Sequence, residues 1–247
     1  KSLCYLLPVI DALVRAPDTR ALLLFPTKAL AHDQLAVLLA WDRALPEVPL
    51  RPAAYDGDTP TGARGEIRRS ARIVVTNPDM LHAGILPHHT RWAELFQGLG
   101  HVVVDEMHVC RGVFGSHVAN VLRRLRRVAR FHGACPRFVL TSATIANPGE
   151  LAARLIGAPA AVVDDDASPH GRRWFVLYNP PVVDERLNVR RSALLEAEAV
   201  ARHFLDGGVQ TIVFAQSRKS AELVVWYVNE GLAAAGGWGG AGGAAGG

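Results

Sequence analysis

The sequence contains no stretch of eighteen or more uncharged apolar residues, the length a helix needs to cross a bilayer, so no membrane span is expected. It has no charged-then-apolar leader either. The chain opens Lys1-Ser2-Leu3-Cys4 rather than with Met, and Pro8 and Asp11 interrupt its first apolar run. That opening predicts a fragment whose start lies upstream. Cysteine is scarce: Cys4, Cys110 and Cys135 are odd in number and widely spaced. They form neither a metal-ligand pattern nor a disulfide framework, as expected in a reducing, cytoplasmic setting. No G-x-G-x-x-G follows any apolar run, which argues against a nicotinamide-dependent dehydrogenase. No internal repeat is visible. Charge of one sign is also lacking: 27 Lys and Arg against 23 Asp and Glu give +4, which permits a polyanion partner without demanding one.

What remains is an ordinary globular composition, 49% apolar and 20% charged, which excludes a disordered or collagen-like chain. At about 150 residues per domain, 247 residues predict one domain and part of another. Short apolar runs at 21–25, 73–76, 101–105, 138–142 and 211–214 lack strict alternation, as strands buried on both faces of a parallel sheet do. Helical patterns at 3–14, 29–40, 116–130, 148–156, 193–205 and 217–229 lie between them. This alternation predicts a doubly wound α/β fold with helices on both faces of a parallel sheet. A seam at 164–188 carries three consecutive acids, Ser168-Pro169 and Pro180-Pro181; residues 174–178 read as one more strand within it. The expected domain boundary therefore lies near 180–190. Residues 231–247 hold 9 Gly and 6 Ala, too little apolar surface to offset ordering, and predict a disordered tail.

The sharpest motif is Val102-Val103-Val104-Asp105-Glu106-Met107-His108. An apolar strand ending in two acids sets carboxylates at the carboxyl edge of a parallel sheet, where open α/β sheets bind ligands. In phosphoryl transfer one such acid holds Mg2+, commonly through water, and a second orients or deprotonates the attacking water. Taken alone, solvated acids at a strand end account for the run equally well. Lys1-Ser2 before a helical stretch is what remains of a phosphate loop, G-x-x-x-x-G-K-[ST], cut just before its lysine. Phe25-Pro26-Thr27-Lys28 places a turn between strand and helix, where backbone N–H groups and Lys28 can hold a nucleic-acid phosphate. Thr76-Asn77-Pro78-Asp79 repeats that arrangement, and Thr141-Ser142-Ala143-Thr144 ends another apolar run with three hydroxyls. Singly, each of these three is an ordinary strand-to-helix cap.

In this order, the segments resemble the helicase motifs of superfamily 2: a motif I remnant (Lys1, Ser2), Ia (Pro26, Thr27, Lys28), Ib (Thr76, Asn77, Pro78), II (Asp105 to His108), III (Ser142 to Thr144) and IV (212–218). The stretches 55–60 (YDGDTP), 111–120 (RGVFGSHVAN) and 141–148 (TSATIANP) are similar to the MrfA/YprA group and its eukaryotic Hrq-type relatives. The resemblance implies a RecA-like first domain at 1–180, a truncated second RecA-like unit at 181–230, and ATP-driven 3′-to-5′ translocation used in DNA repair. ATP and Mg2+ are the implied cofactors, and single-stranded DNA or DNA with a 3′ tail the implied partner. Lys1 and Ser2 would serve phosphate and Mg2+, Asp105 would hold Mg2+ through water, and Glu106 would polarise the hydrolytic water. His108, Ser142 and Thr144 would couple hydrolysis to domain movement. Ser217 and Arg218 join Pro26, Thr27, Lys28, Thr76, Asn77 and Pro78 as the implied nucleic-acid contacts. His108, where a fourth Asp would stand, points away from the DEAD-box RNA helicases, although an RNA helicase and a non-catalytic nucleic-acid-binding module remain alternatives. Motifs V and VI do not follow motif IV in this sequence. An arginine finger contributes on the order of 10³–10⁵ in rate, so the chain alone is expected to turn over little ATP.

Other features read more plainly. Val118, Val121, Leu122, Leu125 and Val128 form one apolar face, which leaves Arg123, Arg124, Arg126, Arg127 and Arg130 as a solvated one. Arg64, Arg68, Arg69 and Arg72 read as surface residues, with a phosphate contact as the minority alternative. His88-His89 reads as a loop pair, and Trp174 and Trp226 as core residues.

Overall fold

The computed structural model describes residues 2–165, 169 and 171–234. Lys1 and most of the Gly/Ala segment lie outside them. The chain divides into two compact units, Lys1–Asp166 and Ala167–Gly247. That division is N-terminal to the expected 180–190, because the last residues packed on the sheet's core are Ala158 and Ala160, just past the helix that closes at Ile156.

In the first unit, α1 (Ser2–Arg15) leads into β1 (Arg20–Leu24), α2 (Lys28–Ala44), β2 (Pro52–Ala54), α3 (Thr61–Ser70) and β3 (Ile73–Thr76). A helical stretch follows: α4 (Pro78–Met80), a wide π-type turn at Leu81–Ile85, a 3-10 segment at Leu86–Trp92 and α5 (Ala93–Gln97). Next come β4 (Leu99–Val104), α6 (Gly112–Phe131), β5 (Arg137–Leu140) and α7 (Pro148–Ile156). His88 (φ −110°, ψ 28°) forms a kink within the 3-10 segment, and His89 lies on its helical continuation rather than in a loop. The five strands form one parallel sheet in the order β2-β3-β1-β4-β5. From β1 the chain passes to β2 at one edge and returns through β3, then crosses to β4 and β5 on the other side, so the switch point lies between β1 and β4. An open α/β sheet binds ligands at such a point, outside the strands' carboxyl ends.

Alternation along the strands builds two apolar layers. Ala21, Leu23, Phe25, Ile73, Val75 and Val103 face one layer, with Tyr5, Leu6, Val9 and Leu13 of α1 and Leu38 of α2. Leu22, Leu24, Val74, Val102 and Val104 face the other, with Trp92, Phe96, Leu122, Leu125 and Leu155. Helices on both faces explain why the strands read as continuous apolar runs. The arginine face of α6 is only partly solvated: Arg126 donates to the carbonyls of Ile156 (2.6 Å) and Gly157 (3.1 Å), closing the C-terminus of α7.

The second unit contains an antiparallel pair, β6 (Val182–Asp184) and β7 (Val189–Arg190), and the helices α8 (Ala193–Asp206) and α9 (Arg218–Ala234), which pack together. Three expectations fail here. Residues 174–178 and 211–214 are not strands, since neither has a ladder partner among the described residues. Trp174 and Trp226 are 80% and 53% exposed rather than core residues, and Trp174 lies under the Arg172 guanidinium. Residues 231–234, expected in a disordered tail, continue α9, a continuation that alanine, the best helix former, favours.

Candidate functional site

Strand register brings the motifs together. Leu24 pairs with Thr76 on one side and Val104 on the other, and Val104 pairs with Leu140. The turns after β3, β1, β4 and β5 therefore leave the sheet side by side at one edge. Those turns hold Asn77, Thr27, Asp105 and Thr141.

At the switch point, Asp105 is half-buried and each carboxylate oxygen has an assigned neighbour. Oδ1 accepts from the Glu106 N–H at 2.9 Å and from the Thr141 hydroxyl. Oδ2 lies 3.5 Å from the Tyr5 hydroxyl. Tyr5 sits one turn along α1 from Ser2, whose side chain favours its ionised form, and also lies 3.0 Å from Gln34 Oε1. Ser2 and Asp105 thus meet on the same phenol, although 103 positions separate them. Burial pushes the Tyr5 phenol up to about 12; the Ser2 hydrogen bond opposes that, and the charges of Asp105 and Glu106 add to it. Tyr5 therefore stays a neutral donor at physiological pH.

Glu106 adopts a left-handed backbone (φ 51°, ψ 44°), which is strained for a side chain other than Gly, Asn or Asp. Neighbouring bonds hold it there: Met107 N–H donates to the Thr141 carbonyl (2.8 Å) and Val109 N–H to the Glu106 carbonyl (3.0 Å). His108 Nδ1 lies 3.1 Å from Glu106 Oε2 and 3.2 Å from the Ala143 N–H. An unprotonated Nδ1 accepts from Ala143, whereas a protonated one donates to Glu106, so a single proton selects the partner. Beyond this turn, Gly115 is required by a close approach. A Cβ there would collide with the Cys110 carbonyl.

Neither hydroxyl expected at motif III touches Asp105; the preceding Thr141 does. Ser142 Oγ is buried with no partner among the described residues, and Thr144 is exposed. Lys1 lies outside the described residues. Sequence reasoning missed Tyr5, Gln34 and the role of Thr141. The available signal for Tyr5 was a hydroxyl-bearing residue three positions after Ser2 on one helix face.

The donor set suits a hard cation with a phosphate: a carboxylate and hydroxyl oxygens, with no thiolate. Among the described residues no three His, Cys, Asp or Glu side chains cluster to form a metal cage. One carboxylate beside hydroxyl oxygens is the kind of set Mg2+ uses, its shell being completed by water and substrate phosphates.

The nucleic-acid candidates divide into two sets. Thr27 caps α2 by accepting from the Leu30 N–H (3.3 Å), and Asn77 caps α4 by accepting from the Met80 N–H (2.8 Å). Pro26 is half-buried between them. Lys28 is exposed and paired with Asp58 at 2.6 Å; that hydrogen bond raises its pKa. Thr76 and Pro78 are buried, and the Thr76 hydroxyl is taken by the Tyr55 carbonyl, so only their backbone can face a strand. In the second unit, Ser217 Oγ accepts from the Ser220 N–H (3.1 Å) and Arg218 is exposed.

Loop 55–60 is held internally. Asp56 Oδ1 accepts from the Asp58 N–H (2.9 Å) and the Thr59 hydroxyl (3.1 Å), and His32 lies 3.3 Å from Oδ2. Desolvation alone would raise the Asp56 pKa, but these bonds outweigh it and lower it.

The DEAD/DEAH box helicase family model matches residues 1–151. This chain belongs to that family. It is 51% identical over 232 residues to the ATP-dependent helicase YprA of Bacillus subtilis, covering 93% of this chain and 31% of YprA. It is 40% identical to the ATP-dependent helicase hrq1 of Schizosaccharomyces pombe, covering 94% and 22%. Among solved structures, helicase MrfA bound to DNA and AMPPNP superposes with a TM-score of 0.87 at 50% identity, covering 93% and 32%. The RecA-like fold that the motifs implied is therefore shown. The chain spans about a third or less of the length of these relatives.

Proposed function

We propose that this chain belongs to the motor of an ATP-dependent DNA helicase that moves 3′ to 5′ along single-stranded DNA, with residues 1–166 as its nucleotide-binding part. The observation that carries this reading is the convergence of Ser2, Tyr5, Thr141 and Asp105 at the switch point of the sheet. When bound there, Mg2+ and ATP supply the electrophilic phosphoryl group and the charge neutralisation. Ser2 offers a hydroxyl oxygen and Asp105 the carboxylate, oriented by Thr141 and the Glu106 N–H. Glu106 polarises water from its fixed left-handed turn, and His108 links that acid to the Ala143 strand end. Lys1 would reach the phosphates. Thr27, Lys28 and Asn77, together with the backbone at Pro26, Thr76 and Pro78, would hold strand phosphates, with Ser217 and Arg218 contributing from the second unit.

Relatives named ATP-dependent helicases and a relative bound to DNA support DNA over RNA. The test is DNA-stimulated ATP hydrolysis by the full-length protein, parent against Glu106→Gln, followed by strand displacement on duplexes with 3′ or 5′ tails. The Gln variant is expected to lose about 10³-fold in hydrolysis while keeping nucleotide and DNA binding. Displacement should require a 3′ DNA tail. Equal unwinding of RNA duplexes, or unchanged hydrolysis in the variant, would contradict the proposal.

A further inference from the structure

A cleft of about 480 Å³ lies between α3 and the helical stretch 78–92. Its walls include Tyr55, Arg64, Arg68, His88, Arg91 and Trp92, and no carboxylate lines it. One wall is rigid. Arg64 donates to the carbonyls of Thr59 (3.0 Å) and Asp56 (3.3 Å) and lies over the Tyr55 ring, which meets Trp92 edge-on at 4.7 Å between centroids. Arg68 is one helical turn beyond Arg64 on the same face of α3. Arg68, His88 and Arg91 make no hydrogen bond or ion pair among the described residues. Trp92 is 1% exposed, and its indole N–H has no acceptor. Two guanidiniums without an acidic partner in one carboxylate-free concavity are an arrangement that an anion would complete.

The cleft adjoins the sheet edge already described. Tyr55 follows β2 there, and Met80, another lining residue, donates its N–H to Asn77. We propose that this cleft is a phosphodiester pocket, in which Arg68 and Arg91 flank a backbone phosphate of the DNA strand that crosses the turn at Asn77. The proposal rests on the functional reading above and extends the strand's path beyond the turns after β1 and β3. Guanidinium forks suit phosphate oxygens, and such contacts position a strand without reading its bases.

The test measures binding of a fluorescein-labelled oligothymidylate to the full 247-residue chain by anisotropy, between about 50 and 200 mM salt. Arg68→Gln/Arg91→Gln should weaken binding about tenfold at the lower salt and reduce the salt slope by about one. Arg68→Lys/Arg91→Lys, which keeps the charge, should recover most of the loss. Arg127→Gln/Arg130→Gln, which removes the same charge from the exposed face of α6, should stay within about twofold of the parent. Arg91→Glu alone changes one exposed side chain and should also weaken binding about tenfold if the double variant fails to fold. Equal losses in the cleft and α6 variants would mean bulk charge and overturn the pocket. So would an unchanged slope in the cleft variants, or a loss confined to free inorganic phosphate or Mg·ATP binding. Failure of the parent chain to bind any oligonucleotide would instead overturn the functional reading beneath it.

Discussion

Two four-residue runs in this chain have nearly the same composition and opposite fates. Ile73-Val74-Val75-Thr76 is β3, paired on both sides and at most 1% exposed. Thr211-Ile212-Val213-Phe214 has no ladder partner among the described residues, and Ile212 and Phe214 are 76% and 92% exposed. The difference lies in the neighbours. Flanking strands take up the N–H and C=O groups of β3, and helices on both faces remove its side chains from water. In the second unit α8 and α9 bury Ala201 and Val224, and Glu196 is held by the Tyr178 hydroxyl (2.6 Å) and Arg191 (3.0 Å), but the two-stranded pair β6–β7 does not extend to 211–214 among the described residues. Apolar patterning specifies a potential strand, and only the surrounding ladder makes it one.

Hydrogen exchange should give the largest contrast. Amides of 74–76 should open only with global unfolding and exchange more than about a thousandfold slower than those of 212–214. Similar protection in the two runs would break the comparison. Truncations should follow with a smaller effect. Leu23→Ala removes a fully buried side chain from the layer under α1 and α2 and should cost about 3 kcal/mol in urea unfolding of the first unit. Ile212→Ala should stay within about 0.5 kcal/mol.

That contrast also marks how far the sequence could be read. The apolar runs β1, β3, β4 and β5 were legible, as were α1, α2, α6 and α7. β2 was not, because three residues beginning with Pro52 carry no periodic signal. α3 was hidden by Gly62, Gly65 and its arginines, and it holds its place through Ile67 packed on the core. At the site, Asp105, Glu106 and His108 stood out because motif spacing is local. Tyr5, Gln34 and Thr141 escaped because their contact with Asp105 or with one another exists only after β4, β5 and α1 are placed.

Acidification should sharpen the picture at moderate size. Burial lowers the pKa of His101, aided by Arg137, and also that of His132, aided by His89. The unfolded chain therefore binds more protons near pH 6.5, so stability of the first unit should fall as pH drops below about 6.5. Urea midpoints at pH 7.5 and 5.5 check the sign, and His101→Gln should flatten the dependence. The smallest effect belongs to the exposed Lys28–Asp58 pair. Asp58→Asn should leave the melting temperature unchanged while freeing Lys28, and anisotropy should report oligonucleotide affinity raised about two- to threefold.

The central claim is that the carboxylate after β4 and the start of α1 form one Mg2+–nucleotide cradle. Titrating Mg2+ against binding of a fluorescent, non-hydrolysable ATP analogue to the full-length protein tests this most directly. The account predicts that Asp105→Asn and Ser2→Ala each weaken Mg2+-dependent binding at least about tenfold and leave the weak metal-free binding unchanged. Parent-like Mg2+ dependence in both variants would contradict it.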